Sequence, residues 1–306
     1  MSLNWSTEQR HPDTMALDTL PSAGIVETIL AADAGVAAAV AACAPQIAEA
    51  VDLAVATIAS GGRVHYVGAG TSGRLGVLDA VELYPTYGVT EDMVTAHLAG
   101  GQDAMMRAVE GAEDDSAAGA ALAREAGDHD LFVGIAASGR TPFVAGALEA
   151  ARARGLRTVL VSNNPAAPIA EFADVAILPD TGPEVITGST RMKAATAQKM
   201  VLNTFSTATM VRLGKTYQNL MINVVATNEK LEKRMVNLVV QAAGVDHDTA
   251  RHLLAEAGGD LRIAVIAALS GADVLRATAA SNENDPDPNR VGDPSGVRAA
   301  VAELGQ

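Results

Sequence analysis

The stretch Val64-His65-Tyr66-Val67-Gly68-Ala69-Gly70-Thr71-Ser72-Gly73 decides the architecture. A short run of β-forming residues passes directly into glycines and hydroxyls, and the residues from Ser72 to about Glu82 read as a helix. Strand, glycine-rich turn and helix open a parallel-sheet unit. The same order recurs downstream. Met93–Leu98 is a second strand, followed by helices predicted over 103–111 and 116–126. Leu131–Ile135 is a third, running into Ala136-Ala137-Ser138-Gly139-Arg140-Thr141 and a helix from Pro142 to Arg154. Arg157–Val161 runs into Ser162-Asn163-Asn164-Pro165, and Asp174–Leu178 is a fifth strand. A long helix is expected from about Ser189 to Leu213. The result is an α/β fold with a mainly parallel five-stranded sheet. Its Ser/Thr/Gly loops follow strands, so they gather at the carboxyl edge, where such sheets bind ligands.

The flanks read differently. Residues 1–22 are polar and form an arm. Residues 24–60 are Ala-rich, with Val36, Val40, Ile47, Val51, Val55 and Ile58 at helical spacing and Pro45 near a break. After Leu220 the composition changes: residues 236–280 read as short helices separated by Gly244-Val245-Asp246 and Gly258-Gly259-Asp260. Residues 281–306 are polar and proline-broken, and a flexible tail is expected. The expected division is an arm with helices over 1–60, a main domain over 61–235, a small helical module over 236–280 and the tail.

Composition excludes several functions. The 306 residues carry 22 Lys and Arg against 36 Asp and Glu, a formal charge of −14, which disfavours nucleic acid. A local loop can still bind a small phosphate against that field. The single cysteine, Cys43, forms no internal disulfide and fits a reducing cytosol. No basic-then-apolar leader is seen, and no apolar stretch reaches ~18–20 residues without a break, so a cytoplasmic protein with no membrane partner is expected. The six histidines (His11, His65, His97, His129, His247, His252) are scattered, with no HExxH or CxxC, so no metal is expected.

Gly68, Gly70 and Gly73 match GxGxxG, but the following strand ends in Ala99-Gly100-Gly101-Gln102 without the acid a dinucleotide site needs. The hydroxyls point elsewhere. Thr71 and Ser72 open one helix, Ser138 and Thr141 a second, Ser189 and Thr190 a third. Any one of these could be a simple N-cap. Three hydroxyl loops on one sheet edge, at helix N-termini with free N–H groups, suit a phosphate monoester, hence a sugar phosphate.

The segments 68–75 (GAGTSGRL), 136–142 (AASGRTP) and 219–223 (NLMIN) resemble the sugar isomerase (SIS) fold. Residues 182–193 (GPEVITGSTRMK), with Gln198-Lys199, resemble the signature shared by N-acetylmuramic acid 6-phosphate etherases and glucokinase regulatory proteins, and the similarity covers about residues 6–280. The resemblance implies a three-layer αβα sandwich and a UBA-like C-terminal module. It also implies a lyase of amino-sugar and cell-wall recycling that needs no cofactor. Such an enzyme cleaves the D-lactyl ether of N-acetylmuramate 6-phosphate to N-acetylglucosamine 6-phosphate and D-lactate, by C2 deprotonation, lactate elimination and hydration. Its catalytic glutamates fall on Glu82 and Glu113. An ether is a poor leaving group and needs a proton donor, assigned to Glu82; the C2 proton beside an aldehyde needs a base, assigned to Glu113. Read without the resemblance, Glu82 is an ordinary helix-surface acid, and Glu113 belongs to an acidic run over 110–115 that is normally a solvated face. Substrate contacts are expected from Gly70, Thr71, Ser72, Ser138, Gly139, Arg140, Thr141, Ser189 and Thr190. A non-catalytic sugar-phosphate regulator and an aldose–ketose isomerase are the competing readings.

Glu82 lies ten residues beyond Ser72, ~15 Å along an unbroken helix, more than a hexose phosphate spans. Either the helix ends early or the sites are shared between the subunits of a homodimer. Asn228 and Lys230 resemble a family motif that lines the partner's site, and Arg191 and Lys193 hold the signature loop or the ligand. The chain departs from the family pattern at Leu83-Tyr84-Pro85-Thr86, Arg10-His11-Pro12 and Ala32-Asp33-Ala34-Gly35.

Overall fold

The computed structural model describes residues 6–226 and 228–305. It divides into two units, residues 1–80 with 91–206, and residues 81–90 with 207–306.

The first unit begins with α1 (Ser22–Asp33), α2 (Val36–Ala41) and α3 (Ala44–Ala59), with Pro45 in the first turn of α3. Then come β1 (Val64–Gly68), α4 (Gly70–Tyr87), β2 (Val94–Leu98), α5 (Asp103–Met106), α6 (Ser116–Glu125), β3 (Leu131–Ile135), α7 (Pro142–Ala153), β4 (Arg157–Val161), β5 (Val175–Ile177) and α8 (Lys193–Arg212). All five strands are parallel, in the order β2-β1-β3-β4-β5. Strand order reverses between β1 and β3, and a crevice opens at the carboxyl ends of such a pair. The register pairs Gly68 with both Leu98 and Ile135, and Ile135 with Val161. The loops after these strands therefore start at one level.

Helices α6 and α7 cover one face, where Val67, Phe132 and Leu160 pack with Val144, Ala147 and Leu148. On the other face Tyr66 is 1% exposed, and its hydroxyl donates to Asp79 of α4 at 3.0 Å. Asn203 and Ser206 of α8 donate to the same carboxylate at 2.7 and 3.1 Å. Burial holds the Asp79 carboxyl above the usual carboxylate range, against the lowering effect of these donors. The chain is thus an αβα sandwich on a five-stranded parallel sheet, as the sequence implied.

The arm is partly tied down. Thr7 is fully buried, and the Thr14 hydroxyl donates to the Val185 carbonyl at 3.0 Å. The segment Ser22–Ala41 is long and apolar enough to cross a membrane by composition, although it contains Glu27 and Asp33 and breaks between α1 and α2. No residue of α1 is buried; Val26 and Leu30 are 53% and 63% exposed.

The second unit holds the antiparallel pair β6 (Thr216–Tyr217) and β7 (Leu220–Met221), then α9 (Glu229–Ala243), α10 (His247–Glu256), α11 (Leu261–Ser270), α12 (Val274–Glu283) and α13 (Val297–Leu304). Helix α9 starts before the expected boundary at 236, and the flexible tail is a misreading. Residues 297–304 are helical, Val297 and Ala300 are fully buried, and Arg262 clamps the connecting segment. Its guanidinium donates to the carbonyls of Ser295 (3.0 Å), Ser281 (3.3 Å) and Asn284 (2.5 Å), and to the Ser281 hydroxyl (2.5 Å). Peptide carbonyls satisfy the buried cation, so a polar sequence folds without many apolar side chains.

Candidate active site

The loop after β1 is shaped by close packing of α4 on β1. A Cβ on Gly73 would come within 2.5 Å of the Gly68 carbonyl oxygen, so neither glycine tolerates a side chain. That is the role of this GxGxxG, and no dinucleotide is needed to explain it. Thr71 is half-buried. Ser72 is buried, and its hydroxyl donates to Gln198 Oε1 at 2.8 Å. Ser72 thus fastens the start of α4 to α8.

Gln198 extends the link by donating to Asn163 Oδ1 at 3.1 Å. Asn164 donates to the Ser138 carbonyl at 3.0 Å, and Ser162 Oγ to the Ala137 carbonyl at 3.2 Å. The loops after β1, β3 and β4 therefore form one polar framework with α8. The work of these amides is not visible in the sequence, because their partners lie 26 to 126 residues away.

The loop after β3 turns at Gly139, whose φ is +66° and whose Cβ would collide with Ala167 at 2.3 Å. Only glycine fits there. Thr141 sits at the N-cap of α7 but makes no side-chain capping bond. Pro142 opens the helix, as suits a first position with no N–H requirement. The simple-cap explanation therefore fails for Thr141. Arg140 is exposed.

The signature segment contains a different cap. Helix α8 starts at Lys193, so Ser189 and Thr190 precede it instead of opening it. Buried Glu184 caps the helix: its two oxygens accept from the N–H groups of Lys193 (3.0 Å) and Ala194 (2.9 Å). With a carboxylate in that place, Ser189 and Thr190 are left half-buried without a capping role. Among the described residues, the hydroxyls of Thr71, Ser138, Thr141, Ser189 and Thr190 make no hydrogen bond. Of the six hydroxyls read from the sequence, Ser72 alone is engaged.

Glu113 lies in a 3-10 turn, Ala112–Asp114, and is exposed. In its acidic run the capping work falls to Asp115, which accepts from the Ala118 N–H at 2.8 Å. Arg74 of α4 holds the segment before it, donating to the carbonyls of Ala104 (2.7 and 3.0 Å), Met105 (3.1 Å) and Arg107 (3.3 Å). Glu82, also exposed, lies on the part of α4 assigned to the second unit. Helix α4 does not end early; it runs through Glu82 to Tyr87. Asn228 caps α9, accepting from the Leu231 N–H at 3.0 Å, and Lys230 is exposed. No group of three His, Cys, Asp or Glu among the described residues could hold a metal ion.

Comparison with known proteins carries this geometry to a family. The model of the glucokinase regulatory protein N-terminal SIS domain matches residues 46–152, and that of the SIS domain matches 108–208. An N-acetylmuramic acid 6-phosphate etherase of Thermobifida fusca is 53% identical over 264 residues, covering 86% of this chain and 87% of its own. The chain belongs to the N-acetylmuramic acid 6-phosphate etherase family. A Vibrio cholerae member is 50% identical over 91% of this chain and 92% of its own length, and one from Symbiobacterium thermophilum is 53% identical over 87% and 89%. Among solved structures, a phosphoheptose isomerase from Francisella tularensis is similar over 61% of this chain and all of its own, at 17% identity and a TM-score of 0.48.

Proposed function

We propose that this member cleaves the D-lactyl ether of N-acetylmuramate 6-phosphate, giving N-acetylglucosamine 6-phosphate and D-lactate. The observation that carries the reading is the identity of 50 to 53% to proteins of that name over most of the chain. The site suits the substrate: neutral hydroxyls without internal partners stand at the sheet edge where a phosphate would lie. In the open-chain sugar, Glu113 takes the C2 proton, which is acidic beside the C1 aldehyde. The C3–O bond then breaks, its electron pair leaves with the lactate oxygen, and Glu82 protonates that oxygen. Water adds across the resulting C2=C3 bond, with hydroxyl at C3 and a proton at C2.

The same reading includes a homodimer with shared sites in the cytoplasm. The unbroken α4 supports sharing, since Ser72 and Glu82 are ~15 Å apart along its axis. Leu78, Val81 and Tyr84 on the same helix are 51%, 63% and 44% exposed. A second copy of the chain is the occupant that would shield Leu78, Val81 and Tyr84, on the helix that carries Glu82, from water.

Direct assay of D-lactate from N-acetylmuramate 6-phosphate tests the reading. In heavy-oxygen water the label should enter C3 of the sugar; label in lactate overturns the elimination course. Mixing inactive Glu82→Gln and Ser138→Ala/Thr141→Val variants should restore partial activity if subunits exchange and share sites. The match to the glucokinase regulatory protein model keeps a non-catalytic sugar-phosphate sensor as a second reading. A protein that binds the sugar phosphate and releases no lactate would favour it.

A further inference from the structure

The signature segment carries two cations that the sequence leaves undivided, and the structure separates them. Arg191 is exposed, whereas Lys193 is 4% exposed. The backbone N–H of Lys193 donates to Glu184, but its ammonium makes no hydrogen bond or ion pair among the described residues. The stem is packed away from water while the charged end is left without a protein partner, an arrangement open to an anion from outside the chain. The surroundings do little to offset the charge. Lys193 is the first residue of α8, where the helix dipole adds positive potential. Glu184 is the nearby acid, and both its oxygens already accept backbone N–H groups. Three residues before Glu184, the Thr181 hydroxyl is also buried without a partner.

The framework puts the start of α8 at the sheet edge. Gln198, in the second turn of α8, is bonded to Ser72 after β1 and to Asn163 after β4. Asn164 holds the Ser138 carbonyl. The start of α8 therefore stands beside loops whose hydroxyls are neutral donors. Those hydroxyls can hydrogen-bond an oxyanion but cannot neutralise it.

We propose that Lys193 is the cation that receives an oxyanion of the bound sugar phosphate. The assignment rests on the sugar-phosphate reading of this edge and names the residue that supplies its charge. In the free protein the Lys193 ammonium has no protein partner; in the complex it is half of an ion pair. Lys193→Met keeps the length of the side chain and removes the charge.

Calorimetric titration of wild type, Lys193→Met and Lys193→Arg with N-acetylglucosamine 6-phosphate, N-acetylmuramate 6-phosphate and unphosphorylated N-acetylmuramate tests this, with melting of each free protein alongside. The expected result is a Lys193→Met protein that melts no lower than wild type and binds both phosphorylated sugars at least about tenfold more weakly. Lys193→Arg should recover part of the loss. Weakening confined to the two muramates would still support the cation, with the lactyl carboxylate as its anion. Unchanged affinity for all three sugars overturns the proposal, and a lowered melting temperature with it would make Lys193 a packing residue. Wild-type lactate release, measured separately, reports on the etherase reading alone.

Discussion

Two polar clusters on the same sheet are built on opposite rules. At the carboxyl edge, five hydroxyls and the Lys193 ammonium have no partner among the described residues. Near the amino edge, His65, His97 and Asp130 have theirs. The His65 imidazole is 2.8 Å from Asp130 Oδ2 through Nε2 and 2.9 Å from His97 Nε2 through Nδ1. Asp130 also accepts from the N–H groups of Arg63 and Gly127, both at 2.8 Å. An ionised carboxylate only accepts, so His65 donates from Nε2; burial lowers the pKa of both imidazoles, and a neutral His65 then receives from His97 at Nδ1. Both rings are neutral in this arrangement. The His65 ring stacks on Phe132 at 4.6 Å. Burial raises the Asp130 carboxyl, but the His65 bond and the two N–H groups outweigh it and hold it low. A titratable cluster assembled from histidines scattered in the sequence is thus closed on itself, while plain serines and threonines stay available. Unspent hydrogen-bonding capacity, more than chemical reactivity, separates the candidate site from the scaffold.

The sharpest way to break this contrast is at the two exposed glutamates. Glu82→Gln or Glu113→Gln should each lower the rate of lactate release by ~10²–10⁴-fold while the melting temperature stays unchanged, as steady-state kinetics and calorimetry would record. A fall in stability instead would assign these acids to the scaffold.

At the amino edge the expected effect is on stability. Asp130→Asn replaces charge-assisted hydrogen bonds from His65 and two N–H groups with weaker neutral ones, at a cost of about 2 kcal/mol in urea unfolding. Activity per folded molecule should persist.

Smaller is the loss at one hydroxyl. Ser138→Ala should weaken binding of N-acetylglucosamine 6-phosphate by about tenfold. It should leave the unfolding midpoint unmoved, since the hydroxyl has no partner to lose.

The last effect is a pH slope. Burial, followed by the neighbouring His65 and Arg63 charges, lowers the His97 pKa to about 4. Between the ordinary histidine value near ~6.5 and about 4, the unfolded chain binds a proton that the folded chain refuses. This contribution is therefore present in full above ~6.5 and is lost as pH falls toward 4. His97→Gln should flatten that part of a stability profile measured by urea unfolding.

Much of the fold could be read directly because each strand is a short apolar run ending in a glycine or hydroxyl turn. The hairpin β6–β7 escaped notice because two-residue strands leave no periodicity. The ordered tail escaped because Arg262 binds mainly main-chain oxygens, which have no letter in the sequence. At the site, the hydroxyl loops were legible from composition and position. The separate duties of Ser72 and Ser138 were not, because Gln198 is 126 positions from Ser72. Glu184 was quoted within its motif, but its capping role depends on α8 beginning at Lys193, after the hydroxyls expected to open it.

The Arg262 clamp bears on how the gene can be trimmed. Ending translation at residue 280 would strip a buried guanidinium of every acceptor contributed by residues 281–295 and uncover the side of α11 that α13 packs against. The final stretch is a closing latch of the helical module, and an affinity tag belongs beyond it.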